Sequence, residues 1–314
     1  MLAPFTVQPR FVSRIWGSED LSPWYHPGGM NEPIGEVWLT GDDCQVSSGP
    51  YAGETLAGLF ARCGAELLGV SAAGACTSPL LLKVIFARDK LSVQVHPDDA
   101  MAQKYGFERG KTECWYALAA EEGAQLACGL LPGTTLETLQ QGIAQGSLEE
   151  SLQVIKVHAG EMVYIDAGTV HAIWPGSILL ETQQNCDLTY RMYDYGRPRE
   201  LHVERSLEAV RFDTQAGKVK AVELADRTQL IASRYFRVER MRLQGETSSS
   251  ALRGNDDGRL SYLFVAQGSA RITGSDFAAL TVQRGGVLGI PARCNDFSIA
   301  TEAELEVIRI IHAG

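Results

Sequence analysis

"LSVQVHPDD", residues 91–99, alternates apolar and polar side chains into a proline. Side chains two apart on a strand share a face. Gln94 and His96 therefore point one way, and Val93 and Val95 the other. With the valines in a core, a glutamine and a histidine face something polar. A metal ion is one such thing, and it demands further ligands elsewhere in the chain. Outward from this stretch, β composition recurs in "GEVWLT" (35–40), "PLLLKVIFA" (79–87), "ECWYAL" (113–118), "EMVYID" (161–166), "SILLETQ" (177–183) and "LTYRMYDY" (188–195). Short strands this close together, broken by Gly, Pro and Asp, predict antiparallel barrels or jelly rolls rather than a parallel sheet.

Helices are expected as inserts. "ETLAGLFARCG" sets Leu56, Leu59, Phe60 and Cys63 on one face, with Thr55 as a cap. "PDDAMAQKYG" starts on the acidic caps Asp98 and Asp99 and stops at Gly106. "TTLETLQQGI" offers Thr134 and Glu137 as a capping box, with Leu136, Leu139 and Ile143 as its stripe, and "SLEESLQVI" repeats the device with Ser147 and Glu150. Residues 97–153 thus read as a partly helical insertion. A first unit, 1–215, carries every chemically informative stretch, and a second β unit, 216–314, follows it.

The bulk numbers exclude several classes. The 314 residues are 45% hydrophobic, enough for a real core, and carry a formal net charge of −10. That charge argues against nucleic acid and anionic membranes as partners. The first residues lack a signal-like apolar run, and no stretch approaches a membrane span, so a cytoplasmic location is expected. Seven cysteines, at 44, 63, 76, 114, 128, 186 and 294, form no C-x-x-C. An odd number without that spacing fits free thiols in a reducing compartment.

The further ligands come from "GEMVYIDAGTVHAIW" (160–174). Its Gly160, Asp166, Gly168 and His171 resemble the second cupin motif, G-x5-P-x-G-x2-H-x3-N, with Asp in place of Pro and Pro175 in place of Asn. The physical sense is a strand, a tight glycine turn and a histidine returned to the barrel interior. "QVH" stands where the first cupin motif has H-x-H, and, with Asp98 and Asp99 read as helix caps, the nearest plausible carboxylate is Glu113, 17 residues on. Gln94, His96, Glu113 and His171 then supply two imidazoles, a carboxylate and an amide oxygen, a set suited to Zn²⁺ or another divalent first-row metal. His26, His158, His202 and His312 carry no such pattern.

"QVHPDD", "GKTECWYAL", "IDAGTVHAI" and "ILLETQQNCDLTYRMYDYGRPRELHVE" together resemble type I mannose-6-phosphate isomerases in the short bacterial form, over roughly residues 4–210. The resemblance implies cupin (jelly-roll) barrels, a metal-bearing N-terminal barrel with the helical insertion, and one zinc per chain, with other divalent metals possible. It implies interconversion of mannose 6-phosphate and fructose 6-phosphate. It places metal ligands on Gln94, His96, Glu113 and His171, and active-site groups on Arg191 and Lys111. Lys83, Glu36, Glu181 and Trp16 match pocket positions.

The residues add their own support. Lys83 interrupts an apolar strand, which is rare for a lysine without a partner or a task. Glu181 alternates with apolar neighbours and is a candidate acid or base. Arg191 shares a strand face with Thr189 and Tyr193. Asp194 has the opposite parity and reaches the same site only if the strand bends before Gly196. Two departures stand out: "WGS" with Ser18 where the family has a double glycine, and "LTGDDCQV" after "GEVW". "RGGVLGIPARCNDF" fits a second, degenerate cupin motif from Gly285 to Pro291, with Arg293 and Asp296 at the motif's Gly and His positions, so the C-terminal unit is expected to hold no metal.

Three alternatives remain at this level: an isomerase of another sugar phosphate, a non-catalytic sugar-binding cupin, and a 2-His-1-carboxylate iron oxygenase. Gln94 counts against the last, because it occupies a position dioxygen would need. The expected partner is a small sugar phosphate, and the chain is expected to be a monomer or homodimer.

Overall fold

A computed structural model describes residues 2–29, 32–69, 77–254 and 258–313; Cys76 lies outside them. The chain is mainly β, and its named strands pair antiparallel in three sheets. A seven-stranded sheet runs Gly217–Val219, Met162–Ile165, Glu113–Ala120, Ser177–Gln184, Leu80–Ala87, Ile34–Trp38, Arg10–Ser18. A five-stranded sheet runs Tyr190–Tyr193, Val93–Val95, His171–Ile173, Gln125–Leu130, Leu152–Lys156. The remaining sheet has nine strands, eight from the C-terminal unit and Phe5–Thr6, which pairs with Val287–Ile290.

Strand parity sorts the side chains into layers. Ile85, Trp115, Val163 and Leu179 of the seven-stranded sheet pack against Leu126, Cys128 and Ile173 of the five-stranded one. Val84, Cys114, Tyr116 and Leu180 point the other way, into a core shared with the helix Leu56–Leu68 and with Phe236, Tyr262 and Ile308 of the C-terminal unit. Val93, Val95, Ala172 and Met192 fill a further core on the outer face of the five-stranded sheet. The valines of "SVQVH" thus face apolar packing, and Gln94 and His96 face the gap between the two sheets.

The division near residue 215 is crossed twice. Phe5–Thr6 joins the C-terminal sheet, and Gly217–Val219 joins Met162–Tyr164 of the N-terminal one. Within 97–153, Asp99–Lys104 and Leu136–Gln145 are helical, whereas Glu113–Ala120 and Gln125–Leu130 are strands of the two sheets. Several local expectations hold: Thr55 Oγ1 accepts from Gly58 N at 3.1 Å, and Asp98 Oδ1 accepts from Met101 N at 2.8 Å.

Others are corrected. The cap of Leu136–Gln145 is Thr135, reciprocated by Thr138, rather than Thr134 with Glu137. Leu136 is exposed, since Leu139 takes the buried face. Ser147 makes no side-chain cap, and "SLEESLQVI" is one 3-10 turn leading into the strand Leu152–Lys156. Its β-branched Val154 and Ile155 favour the strand once Gln125–Leu130 offers an edge to pair with. Asp99 ties the helix outward instead of capping it, accepting from Gly110 N, Gln184 Nε2 and Tyr235 Oη at 2.9 Å each. No helix among the described residues is long and apolar enough to cross a membrane.

Candidate active site and metal centre

Register brings the candidate ligands together. His171 sits directly opposite Gln94 across the ladder, and Arg191 opposite Gln94 on the other side. Glu113 begins its strand opposite Gln183, on the face it shares with Trp115. The ligand atoms of His96, Glu113 and His171 all lie within 4.8 Å of one another, and all three residues are buried. Each histidine Nε2 is 3.5 Å from a Glu113 oxygen, and Gln94 Nε2 is 3.2 Å from His171 Nε2.

The outer nitrogens fix the tautomers. His96 Nδ1 is 3.0 Å from Leu188 O, and His171 Nδ1 is 2.9 Å from Thr169 O. A carbonyl only accepts, so both Nδ1 atoms carry the proton and both Nε2 lone pairs point inward. Burial holds both rings neutral: His96 lies well below its ordinary value, and His171 is lowered to about 4. His96 Nε2 and Glu113 Oε1 are buried without a hydrogen-bond partner. An orphaned buried polar atom costs on the order of 1–3 kcal/mol, and a divalent cation at this point would satisfy both. Gln94 needs only to turn its amide, whose oxygen now accepts from Ser92 Oγ at 3.3 Å, to offer oxygen as a further donor. The donor set therefore fits a cation.

Gln94 also lines a cavity of about 470 Å³ with Trp16, Ser92 and Thr189. Its charged wall has two parts. On one side, Lys83, only 2% exposed, places Nζ 2.6 Å from Asp187 Oδ1, 3.9 Å from Glu181 Oε2 and 4.6 Å from the Trp38 ring centre. Burial would depress this ammonium, but Glu36, Asp187 and Glu181 outweigh it and hold the group above its usual value. Lys111 is held up likewise against burial by Glu113 and Glu181, with Nζ 3.1 Å from Glu113 Oε2. Glu181, opposite Lys83 in register, takes a 3.1 Å bond from Trp115 Nε1. Burial and the like charge of Glu113 push its carboxyl up to about 7 against the pull of Lys111 and Lys83. Glu36 accepts from Arg14 Nη2 at 3.0 Å and Trp38 Nε1 at 2.8 Å.

On the other side stand Arg191 and Arg199. Arg191 Nη1 donates to Glu200 O at 2.8 Å, and its buried Nε has no partner. Asp194 lies outside the cavity lining: the strand does bend, but the carboxylate turns to Arg197 and Arg199. The sequence reading did not single out Arg14, Asp187 or Arg199. Arg14 shares strand parity with Trp16 and could have been found that way; Asp187 and Arg199 sit in turns, where parity gives no direction. A larger cleft, about 640 Å³, lies beside residues 17–20 and 119–121, but its carboxylates, Glu19, Asp20 and Glu121, are all exposed. Chemistry, not size, selects the smaller cavity.

A model of the phosphomannose isomerase type I catalytic domain matches residues 5–132. A mannose-6-phosphate isomerase of Streptococcus mutans is 37% identical over 258 residues, covering 78% of this chain and 80% of that protein. The chain belongs to the mannose-6-phosphate isomerase family. Mannose-6-phosphate isomerase ManA of Bacillus subtilis is 36% identical over 260 residues, covering 78% and 81%. A crystal structure of mannose 6-phosphate isomerase from Bacillus subtilis superposes with a TM-score of 0.85 at 30% identity, over 98% of this chain and 99% of that one. A phosphomannose isomerase from Salmonella typhimurium shares the fold with a TM-score of 0.78 at 16% identity, over the whole of both chains. Mainly β architecture and an isomerase family are thereby established.

Proposed function

We propose that this chain interconverts mannose 6-phosphate and fructose 6-phosphate through an enediol, with one divalent cation, zinc by family resemblance, held by Gln94, His96, Glu113 and His171. The observation that carries the reading is the orphaned pair His96 Nε2 and Glu113 Oε1, buried beside the inward Nε2 of His171. A cation bound there would polarise the substrate's oxygens and stabilise enediolate charge.

The chain's own groups do the rest. The reaction moves one proton between C2 and C1. Glu181 is suited to hold it, because a carboxyl near 7 is populated in both forms at neutral pH. The indole of Trp115 fixes that carboxyl's orientation. Lys111 and Lys83 stay cationic and face developing negative charge, and Arg191 offers an always-charged donor to phosphate or enediolate oxygens. Trp16 and Glu36 complete the sugar-binding wall.

Residues 1–215 supply every group in this account, and 216–314 act as a cupin-like unit that supports the barrel from behind the seven-stranded sheet. Free thiols at all six described cysteines fit a cytoplasmic enzyme, working as monomer or homodimer. The test is the initial rate of fructose 6-phosphate formation from mannose 6-phosphate, beside glucose 6-phosphate and other aldose phosphates. Turnover of mannose 6-phosphate in preference to the others supports the reading. Preference for another sugar phosphate would keep the chemistry and replace the substrate, and no turnover by metal-replete protein would leave a binding role.

A further inference from the structure

Asp194 raises an unanswered question. Its side chain is 1% exposed, does not line the cavity, and accepts from two arginines at once. Arg199 donates through Nε to Oδ2 and through Nη2 to Oδ1, both at 2.6 Å. Arg197 donates through Nη2 to Oδ1 at 2.8 Å, and to Lys90 O at 2.7 Å. The backbone is bent to permit this. Tyr195 has φ +56°, the one positive value on a non-glycine among the described residues, and Gly196 follows at +78°. Such a conformation is costly on a bulky residue and persists where the surroundings hold it.

The consequence is the placement of Arg199. Its Nε edge is spent on Asp194, which leaves the Nη1 donors uncommitted on a residue that lines the cavity. Arg191 lines the same wall with its buried Nε unpartnered. Two guanidiniums on one wall repel, and neither has a carboxylate in the cavity at its own side; Glu36, Glu181 and Asp187 are engaged with Arg14, Trp115 and Lys83. Like charges held together with free donors are an arrangement for an anion between them. A sugar phosphate carries its standing negative charge on the phosphate, so the anion for this pair is the phosphate rather than a sugar oxygen.

Resting on the isomerase reading above, we infer that Arg199 is a second phosphate-binding arginine beside Arg191, and that Asp194 is a positioning residue that presents it. Asp194 acts only through Arg199 and does not touch substrate. The turn at Tyr195 and Gly196 serves to bring that carboxylate behind the arginine.

The test uses the full-length, metal-loaded protein with Arg199→Ala, Arg199→Lys and Asp194→Asn. Loss of a charge-assisted bond raises KM for mannose 6-phosphate in Arg199→Ala on the order of 10- to 100-fold, with kcat falling less than about threefold. Inorganic phosphate, used as a competitive inhibitor, weakens by a similar factor. Arg199→Lys recovers part of the loss, since the charge returns without the fork, and Asp194→Asn raises KM by a smaller factor than Arg199→Ala. Thermal unfolding checks that each variant folds; if Arg199→Ala does not, Arg199→Gln replaces it. Unchanged KM and unchanged phosphate inhibition in Arg199→Ala would overturn the inference while wild-type turnover stands. If wild type itself fails to turn over mannose 6-phosphate, the isomerase reading fails instead. Calorimetry with inorganic phosphate then decides the anion site alone: binding weakened by Arg199→Ala upholds it, and equal binding overturns it.

Discussion

The two β units of this chain use the same kind of strand and fill their interiors differently. Between the N-terminal sheets, apolar packing by Trp115, Leu126 and Ile173 gives way to Gln94, His96, Lys83, Glu113 and Glu181. In the C-terminal unit, Leu263, Ile272, Leu288, Phe297 and Val307 form an apolar core, and the buried charges beside it, Arg309 and Glu239, pair with each other at 3.5 Å. The segment 285–291 repeats the glycine-to-proline spacing, but the following Arg293 and Asp296 lie outside that core, and no metal-ligand group forms there among the described residues. An apolar interior whose few charges pair with each other needs no further partner. A buried polar interior is tolerated only when each charge meets another or a ligand, and the atoms left over show where that ligand belongs.

Breaking the polar interior at its centre has the largest expected effect. His96→Ala or Glu113→Gln loses bound metal, read by elemental analysis, and more than about a thousandfold in kcat. Next, Arg191→Ala loses most of kcat while metal content stays near wild type; near-normal kcat would remove Arg191 from catalysis. The apolar unit should respond in the opposite sense. Ile272→Ala, at a fully buried site, costs about 2–5 kcal/mol in denaturant unfolding and leaves metal stoichiometry and KM unchanged. A change in metal content there would break the contrast between the units.

The smallest effect is pH-dependent and sharpens the contrast. In metal-free protein, His171 is held neutral down to about 4, whereas an unfolded histidine titrates near its usual value of about 6.5. Above that value both states are neutral and the full stability is present. Below it the unfolded state binds a proton that the folded state refuses, so stability falls from about pH 6.5 to about 4. His312, half-buried beside Arg109 and lowered to about 4 by desolvation, adds to the same slope. Thermal unfolding across this window should show a flatter slope in metal-free His171→Gln than in the parent. An unchanged slope would mean that the ring is not held neutral by burial.

Much of this was legible before any coordinates. β composition placed the strands at 80–87, 113–120 and 177–184 to within about two residues, because a buried strand is constrained on both faces by packing. Strand parity put Gln94 with His96, and the interruption of apolar runs singled out Lys83 and Glu181. Turns were less legible. Asp194 could not be aimed from parity, since the αL conformation at Tyr195 reverses its direction. Arg199 and Asp187 were missed for the same reason. The cap at Thr135 was misplaced by one residue because adjacent threonines satisfy the same pattern. The crossing of Phe5–Thr6 into the C-terminal sheet depends on a pairing 280 residues distant, which no local pattern encodes.

The most direct test of the central claim is a titration of Zn²⁺ into chelator-stripped protein, following bound metal and isomerase rate together. The account predicts a rate that is lost on stripping and rises in proportion to zinc, reaching its plateau at one ion per chain, with no recovery in Glu113→Gln. A stripped protein that isomerises mannose 6-phosphate at the full rate would contradict it.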